Sequence, residues 1–357
     1  MTQGRDEGAS LAIENRRPAL ALAAVQDHFS KHPELRQRYG ERGTAKCVQD
    51  AEFHLAYLAQ AIGTSTPALF SNYVEWAASM LSARNIPPRD LADSLAAIRA
   101  AIIGQLPAES GQIAVEYIDF AISRTHESEP PPVFLGGQDA LAQLAREYLN
   151  CLLRGNRRDA GALISAAVSN GTRVADIYLR VFQPVMHEVG RLWQANEISV
   201  AQEHYCSAAT QLVMSQLYEL IFNAERRGKT LVAACTSGDL HEIGLRTVAD
   251  FFEMAGWDTH YLGANVPIPD LLRLLIERRA DVLALSATIA AHIGKVRETI
   301  RSVRSSPECQ GVRILTGGYP FNISDDLWRK VGADGCARDA LAAISLAEDL
   351  LKDDTNG

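Results

Sequence analysis

In the stretch AKCVQDAEFHLAYLAQAI, the apolar residues Val48, Phe53, Leu55, Leu58 and Ile62 recur on roughly one side of a helix. The next segment, STPALFSNYVEWAASMLSA, opens on serine and threonine cap candidates with a proline near its first turn, which predicts a helix start. IPPRDLADSLAAIRAAII and GQIAVEYIDFAISRT keep helical spacing, and no strand candidate interrupts them. Residues 18–127 are therefore expected to form an all-α domain. A second helical set appears in ALAQLAREYLNCLLRG, RRDAGALISAAVSN, RVADIYLRVFQPVMHEVGRLWQA and SVAQEHYCSAATQLVMSQLYELIF. Four amphipathic segments with short joints predict a four-helix bundle over residues 139–226.

After NAERRGKT the period changes. TLVAAC, DTHYLG, DVLALSA and VRILTGG read as strands, and a helical segment comes after each of them, the last being ALAAISLAEDLLKD. This alternation predicts a doubly wound, Rossmann-like parallel sheet over residues 228–353. Between the two helical sets lies HESEPPPVFLGGQ. Pro130, Pro131 and Pro132 forbid helix there, and Gly136 and Gly137 loosen the chain next to them, so a linker is expected. The chain reads as a multi-domain protein of the α plus α/β kind.

Composition narrows the function. Of 357 residues, 47% are apolar and 22% charged, ordinary values for a soluble globular protein. A formal net charge of −8 disfavours broad affinity for nucleic acid. No apolar run approaches the ~20 residues of a membrane span, and the polar N-terminal residues lack a signal-peptide core. The six cysteines have no CxxC spacing, which argues against a zinc site, a c-type haem or a disulfide framework. A cytoplasmic protein is expected, with no membrane partner.

Candidate chemistry gathers at the strand ends, where ligands of doubly wound sheets sit. After the first strand comes TSGDLHEIG, in which Asp239 precedes His241 by two residues. In extended backbone such residues point the same way, so the carboxylate can fix the imidazole tautomer, the usual support of a metal-bound histidine. Gly244 removes a side chain where a bulky ligand would meet the next helix. Ser286 and Thr288 end the third strand, and Gly317 and Gly318 end the fourth. Alternatively, His241 caps a helix or fills a loop. No G-x-G-x-x-G comes after the first strand, which disfavours a nicotinamide site.

The order DxHxxG, S-x-T in LSATI and GG in LTGGYP resembles the cobalamin-binding domain of methionine synthase, mutases and corrinoid proteins, as do YLGANVPIPDLL and GADGCARDA. The resemblance implies His241 as lower axial ligand of cobalt, Asp239 as its orienting partner, and Ser286, Thr288, Gly317 and Gly318 around the displaced nucleotide tail. Upstream, Trp193 is followed ten residues later by Glu203 and His204. This looks like the W-x9-E-H pattern of cobalamin photoreceptors that repress carotenoid synthesis, and it implies an adenosylcobalamin whose adenosyl group meets the indole and the carboxylate. Gln194 departs from that family, which has a histidine there to capture cobalt after photolysis, and His204, His187 or water is left as a substitute. The alternative for these residues is a bundle-core tryptophan beside a solvated pair.

Those repressors begin with a winged helix, whereas the first ~125 residues here lack a basic recognition helix. An all-α domain joined to such a module looks like the photocobilins, whose helical, globin-like domain holds biliverdin. The resemblance implies His54, Tyr57, Asn72, Tyr73 and Arg84, together with Trp76, around a non-covalent bilin; a dimerisation module with a satisfied helix histidine is the other reading. The leading expectation is therefore a light sensor, not an enzyme. Co–C photolysis would change its conformation or its homo-oligomeric assembly and signal to an unidentified protein. The alternative is a corrinoid protein that carries methyl groups for a methyltransferase. A mutase subunit is disfavoured by the lack of a TIM barrel, and a passive cobalamin carrier is the remaining reading.

Overall fold

The computed structural model describes residues 2–124 and 132–353. Residues 125–131, which include the first six of the expected linker, among them Pro130 and Pro131, lie outside the described residues. The chain forms two compact units: residues 1–129 with 287–300 and 319–333, and residues 130–286 with 301–318 and 334–357.

In the first unit, α1 (Thr2–Lys31), α2 (Pro33–Gly63), α3 (Pro67–Ser82), α4 (Pro88–Gln105) and α5 (Ala108–Arg124) enclose a core with Leu20, Leu55, Leu58, Ile62, Phe70, Val74, Ile98 and Ile118. Leu55, Leu58 and Ile62 follow helical spacing into that core. Phe53 does not: it is 49% exposed, because two residues before Leu55 is about 200° away around a helix. The cap candidate Thr66 precedes α3, but its side chain makes no capping bond to that helix. The segments 287–300 and 319–333 are tied to the α2–α3 turn. Arg297 Nη1 donates to the Gly63 carbonyl at 3.1 Å, and Lys330 Nζ donates to Thr66 Oγ1 at 3.0 Å.

In the second unit, residues 133–137 run along the bundle helices, with Phe134 N–H donating to Glu188 Oε2 at 3.1 Å. Then come α6 (Ala140–Leu153), α7 (Arg157–Ser169), α8 (Val174–Ile177), a π-helical turn at Tyr178–Phe182, α9 (Gln183–Gln194), α10 (Val200–Gln216) and α11 (Tyr218–Ile221). Asp139, Asn156 and Ser199 cap α6, α7 and α10, Ser199 in a reciprocal capping box with Gln202. These helices share a core of Tyr148, Ile164, Tyr178, Val181, Phe182, Val189, Val213 and Met214.

The strands are β1 (Thr230–Cys235), β2 (Asp258–Gly263), β3 (Val282–Ser286), β4 (Arg313–Gly317) and β5 (Gly335–Cys336), all parallel in the order β2-β1-β3-β4-β5. The two-residue β5, inside GADGCARDA, is too short to carry a periodic signal. Interleaved are α12 (Ile243–Met254), α13 (Ile268–Arg278), α14 (Ile293–Ser305), α15 (Tyr319–Ile323), α16 (Leu327–Val331) and α17 (Ala340–Asp353). Leu231, Ala233 and Cys235, alternate residues of β1, pack with Leu245, Ala249 and Phe252 of α12 and with Ala343 and Ala347 of α17. Phe251, on the other side of α12, enters the core of the preceding helices. Thus α12 is shared by the bundle and the sheet.

Candidate functional site

The strand order reverses between β1 and β3, the switch point at which open parallel sheets bind ligands. In register, Cys235 pairs with Ser286 and Ser286 with Gly317, so three of the expected strand ends lie in one row. Thr236 N–H donates to the Ser286 carbonyl at 2.9 Å and closes the row.

Asp239 is fully buried, and its Oδ1 is 2.9 Å from His241 Nδ1 while accepting the His241 amide at 3.0 Å. A side chain 56% exposed leaves the rest of the imidazole facing outward. The carboxylate fixes the ring, and its hydrogen bond raises the His241 pKa above the ordinary histidine value against a lowering by burial; Glu203 adds to the rise through its charge. The charge of the bundle residue Glu203 is thus felt at the loop histidine. A Cβ on Gly244 would meet nothing within 4 Å, so its surroundings are open to an outside occupant. Gly318 has φ of 102°, a conformation glycine adopts freely. Ser286 is buried and Thr288 half-buried.

Of the upper-face candidates, Trp193 is half-buried against the bundle core. Glu203 Oε1 accepts from Ser207 Oγ at 3.1 Å, and Glu203 Oε2 is paired with Nδ1 of the exposed His204. Gln194 is half-buried at the end of α9. His187 lies tilted against Phe134, ring centroids 5.1 Å apart, with its pKa lowered by burial.

In the first unit, His54 Nδ1 lies 2.9 Å from Tyr73 Oη, and Tyr57 stacks on Tyr73 with ring centroids 3.6 Å apart. Trp76 continues the stack at 6.2 Å. Burial lowers the His54 pKa to about 4. His54, Tyr57 and Tyr73 are thus brought together. Asn72 is half-buried on α3, and Arg84, beyond the end of that helix, donates to the Met80 carbonyl at 2.9 Å.

Sequence reasoning missed Glu242. Its Oε1 accepts from Gln211 of α10, and its Oε2 accepts from Tyr261 of β2 and from the Ala264 amide, each at 3.0 Å. It also missed the polar seam between bundle and α12. There Tyr178 donates to Asp250 at 2.8 Å, and Arg246 donates to the Gln211 carbonyl, Ser215 and Tyr218. The π-helical turn that carries Tyr178, a feature frequent at functional sites, leaves no periodic mark in the sequence.

Residues 229–345 match the B12 binding domain family, residues 144–218 match a second B12 binding domain family, and residues 8–124 match the phycobilisome protein family. Dimethylamine corrinoid protein 1 of Methanosarcina acetivorans is 24% identical over 217 residues, covering 60% of this chain and 98% of that protein. Dimethylamine corrinoid protein 3 of the same organism is 29% identical over 170 residues, covering 46% of this chain and 78% of that protein. The structure of the Methanosarcina barkeri monomethylamine corrinoid protein matches 58% of this chain and 99% of that chain, at 21% identity with a TM-score of 0.52, a likeness of fold.

These relatives correct the light-sensor expectation. They are corrinoid proteins named for methylamines and align over most of their own length, which favours the methyl-carrier alternative over the photoreceptor. The expectation of a bulky upper ligand rests on Trp193 and Glu203 alone, a small basis beside a match of that length. Among the described residues, no helix is long and apolar enough to cross a membrane. These matches support a cobalamin-binding protein, residues 144–218 and 229–345 being the parts that match B12 binding domains.

Proposed function

We propose that the chain is a corrinoid protein that carries a methyl group for a methyltransferase partner. The observation that carries this reading is the alignment of 60% of this chain with dimethylamine corrinoid proteins over nearly their whole length. The residues present suit a corrinoid. Asp239 holds the imidazole of His241 by one nitrogen and leaves the other side exposed, the surroundings of Gly244 are open, and Thr236, buried at the end of β1, has a hydroxyl with no partner among the described residues. In this reading His241 is the lower ligand, Asp239 orients it, and Ser286, Thr288, Gly317 and Gly318 take the nucleotide tail. The bound corrinoid supplies a cobalt centre able to accept and release a methyl group. Of this chain's own residues, His241 would hold that centre, Asp239 would set the basicity of its imidazole, and Trp193, Glu203 and His204 would face it from the bundle side.

The test is reconstitution of purified apoprotein with methylcobalamin, hydroxocobalamin or adenosylcobalamin, followed by removal of excess ligand and by transfer of labelled methyl to an added thiol acceptor with a methyltransferase. Retention and turnover of the methyl form support the carrier. Exclusive retention of the adenosyl form would assign Trp193 and Glu203 to a nucleoside-sized upper ligand and sink the carrier reading. A second ligand is favoured by the phycobilisome family match over residues 8–124. We assign a linear tetrapyrrole, biliverdin being the probe, to the first unit around the neutral His54 and the Tyr57–Tyr73 stack, with Asn72 and Arg84 as polar partners. An absorption spectrum of added biliverdin that is unaltered by the protein, or unaltered by His54→Ala, would remove that assignment.

A further inference from the structure

We infer that Glu242 is a positioning residue that couples the placement of the bundle to axial ligation by His241. The inference rests on the reading of His241 as lower ligand. Glu242 follows His241 directly, and three elements hold its half-buried carboxylate: α10 through Gln211, β2 through Tyr261, and the loop after β2 through the Ala264 amide. The backbone is shaped around this carboxylate. Gly263 has φ of 74°, and a Cβ there would come within 2.7 Å of Glu242 Oε2, so only glycine both adopts the conformation and leaves the space.

The same loop pins the other side of the histidine. Asn265 N–H donates to the Asp239 carbonyl at 3.0 Å, and Asn265 Oδ1 accepts the Gly238 amide at 2.8 Å. Residues 239 and 242 are therefore both fastened to residues 264 and 265, and His241 is carried between them. Of the two fastenings, Glu242 also reaches the bundle by its side chain, through Gln211. That glutamine lies eight residues along α10 from Glu203, roughly 12 Å of helix rise, and Glu203 is the bundle charge that acts on His241. A shift of α10 away from the sheet must break the Gln211 bond or drag Glu242, and with it the end of the histidine loop. Access to the upper face and ligation of the lower face are then linked through one carboxylate.

The test uses the full chain reconstituted with hydroxocobalamin and reduced to the cobalt(II) state. Electron paramagnetic resonance reports the fraction of bound corrinoid carrying an imidazole nitrogen. His241→Ala gives the signal without histidine. Glu242→Gln, which keeps the shape of the side chain, is expected to lower the ratio of ligated to unligated cobalt about tenfold, the scale seen when partners of metal-bound histidines are removed. Gln211→Leu leaves the loop sequence intact and is expected to act in the same direction. A Glu242→Gln protein that binds less corrinoid but ligates it in the same ratio as the original chain has lost stability only, and that overturns the inference. An effect of Glu242→Gln without one of Gln211→Leu overturns the link to the bundle. An unchanged chain indistinguishable from His241→Ala sinks the ligand reading itself, and this inference with it.

Discussion

Asp239 spends one oxygen on both the ring and the amide of His241, and it does so from complete burial. A buried carboxylate needs such partners, because desolvation of an unpaired charge is costly. Asp239→Asn keeps the shape but weakens the acceptor, so corrinoid affinity should fall by ~10- to 100-fold. Equilibrium dialysis with hydroxocobalamin checks this, and equal affinity would remove Asp239 from the site. His54 offers a residue-scale test of a different kind. Its pKa falls to about 4 in the fold, against about 6.5 for an unperturbed histidine. A lowered folded value means that the unfolded chain takes the proton first, so stability is lost as pH falls from 6.5 towards 4. Between pH 7 and pH 5 the loss is ~2 kcal/mol. Urea midpoints at the two pH values should show that loss in the original chain and not in His54→Gln, and parallel slopes would refute it.

At the scale of elements, α12 does most to join the parts of the second unit: one side faces the sheet, Phe251 enters the bundle core, and Arg246 and Asp250 meet the bundle's polar seam. Burial, eased by the Tyr178 hydrogen bond, raises the Asp250 pKa to about 6. A raised carboxylate contributes stability that is complete below the unfolded value of about 3.9 and is lost as pH rises through 6. Asp250→Asn should therefore remove ~1 kcal/mol of the gain in stability on moving from pH 7.5 to 5. Thermal melts of both proteins at each pH measure it, and an unchanged difference refutes it. Many of the periodic elements were legible: the later helices of the first set, the bundle helices, four strands and the D-x-H pair come from apolar spacing and loop chemistry. By contrast α1, which begins at Thr2, is not read as a helix from its sequence, and the expected all-α domain begins only at residue 18. The illegible part depends on tertiary contact. Glu242 looks like an ordinary polar residue until Gly263 makes room for it, β5 is too short for a pattern, and Phe53 shows how one misplaced residue survives a loose reading of a helical face.

For the whole molecule, the chain passes between its two units five times, after residues 129, 286, 300, 318 and 333. Three of these crossings lie just beyond loop or strand-end residues: after Ser286, after Gly318, and after Ala333 just ahead of β5. Units so interleaved along the chain cannot be separated by a cut in the linker, since residues 287–300 and 319–333 belong with the first unit. The full chain should therefore unfold in one cooperative transition despite its several family matches. Corrinoid binding must then stabilise the first unit as well as the second. At a free concentration one hundred times its Kd, a ligand adds about 2.7 kcal/mol, or roughly 4 °C for a chain of this size. Differential scanning calorimetry with hydroxocobalamin should show a single endotherm moving up by that amount, and His241→Ala should reduce the shift. Two endotherms, of which only the later-sequence part moves, would mean that the N-terminal helices fold independently of the corrinoid, and that the contacts of Arg297 and Lys330 with the α2–α3 turn do not couple them.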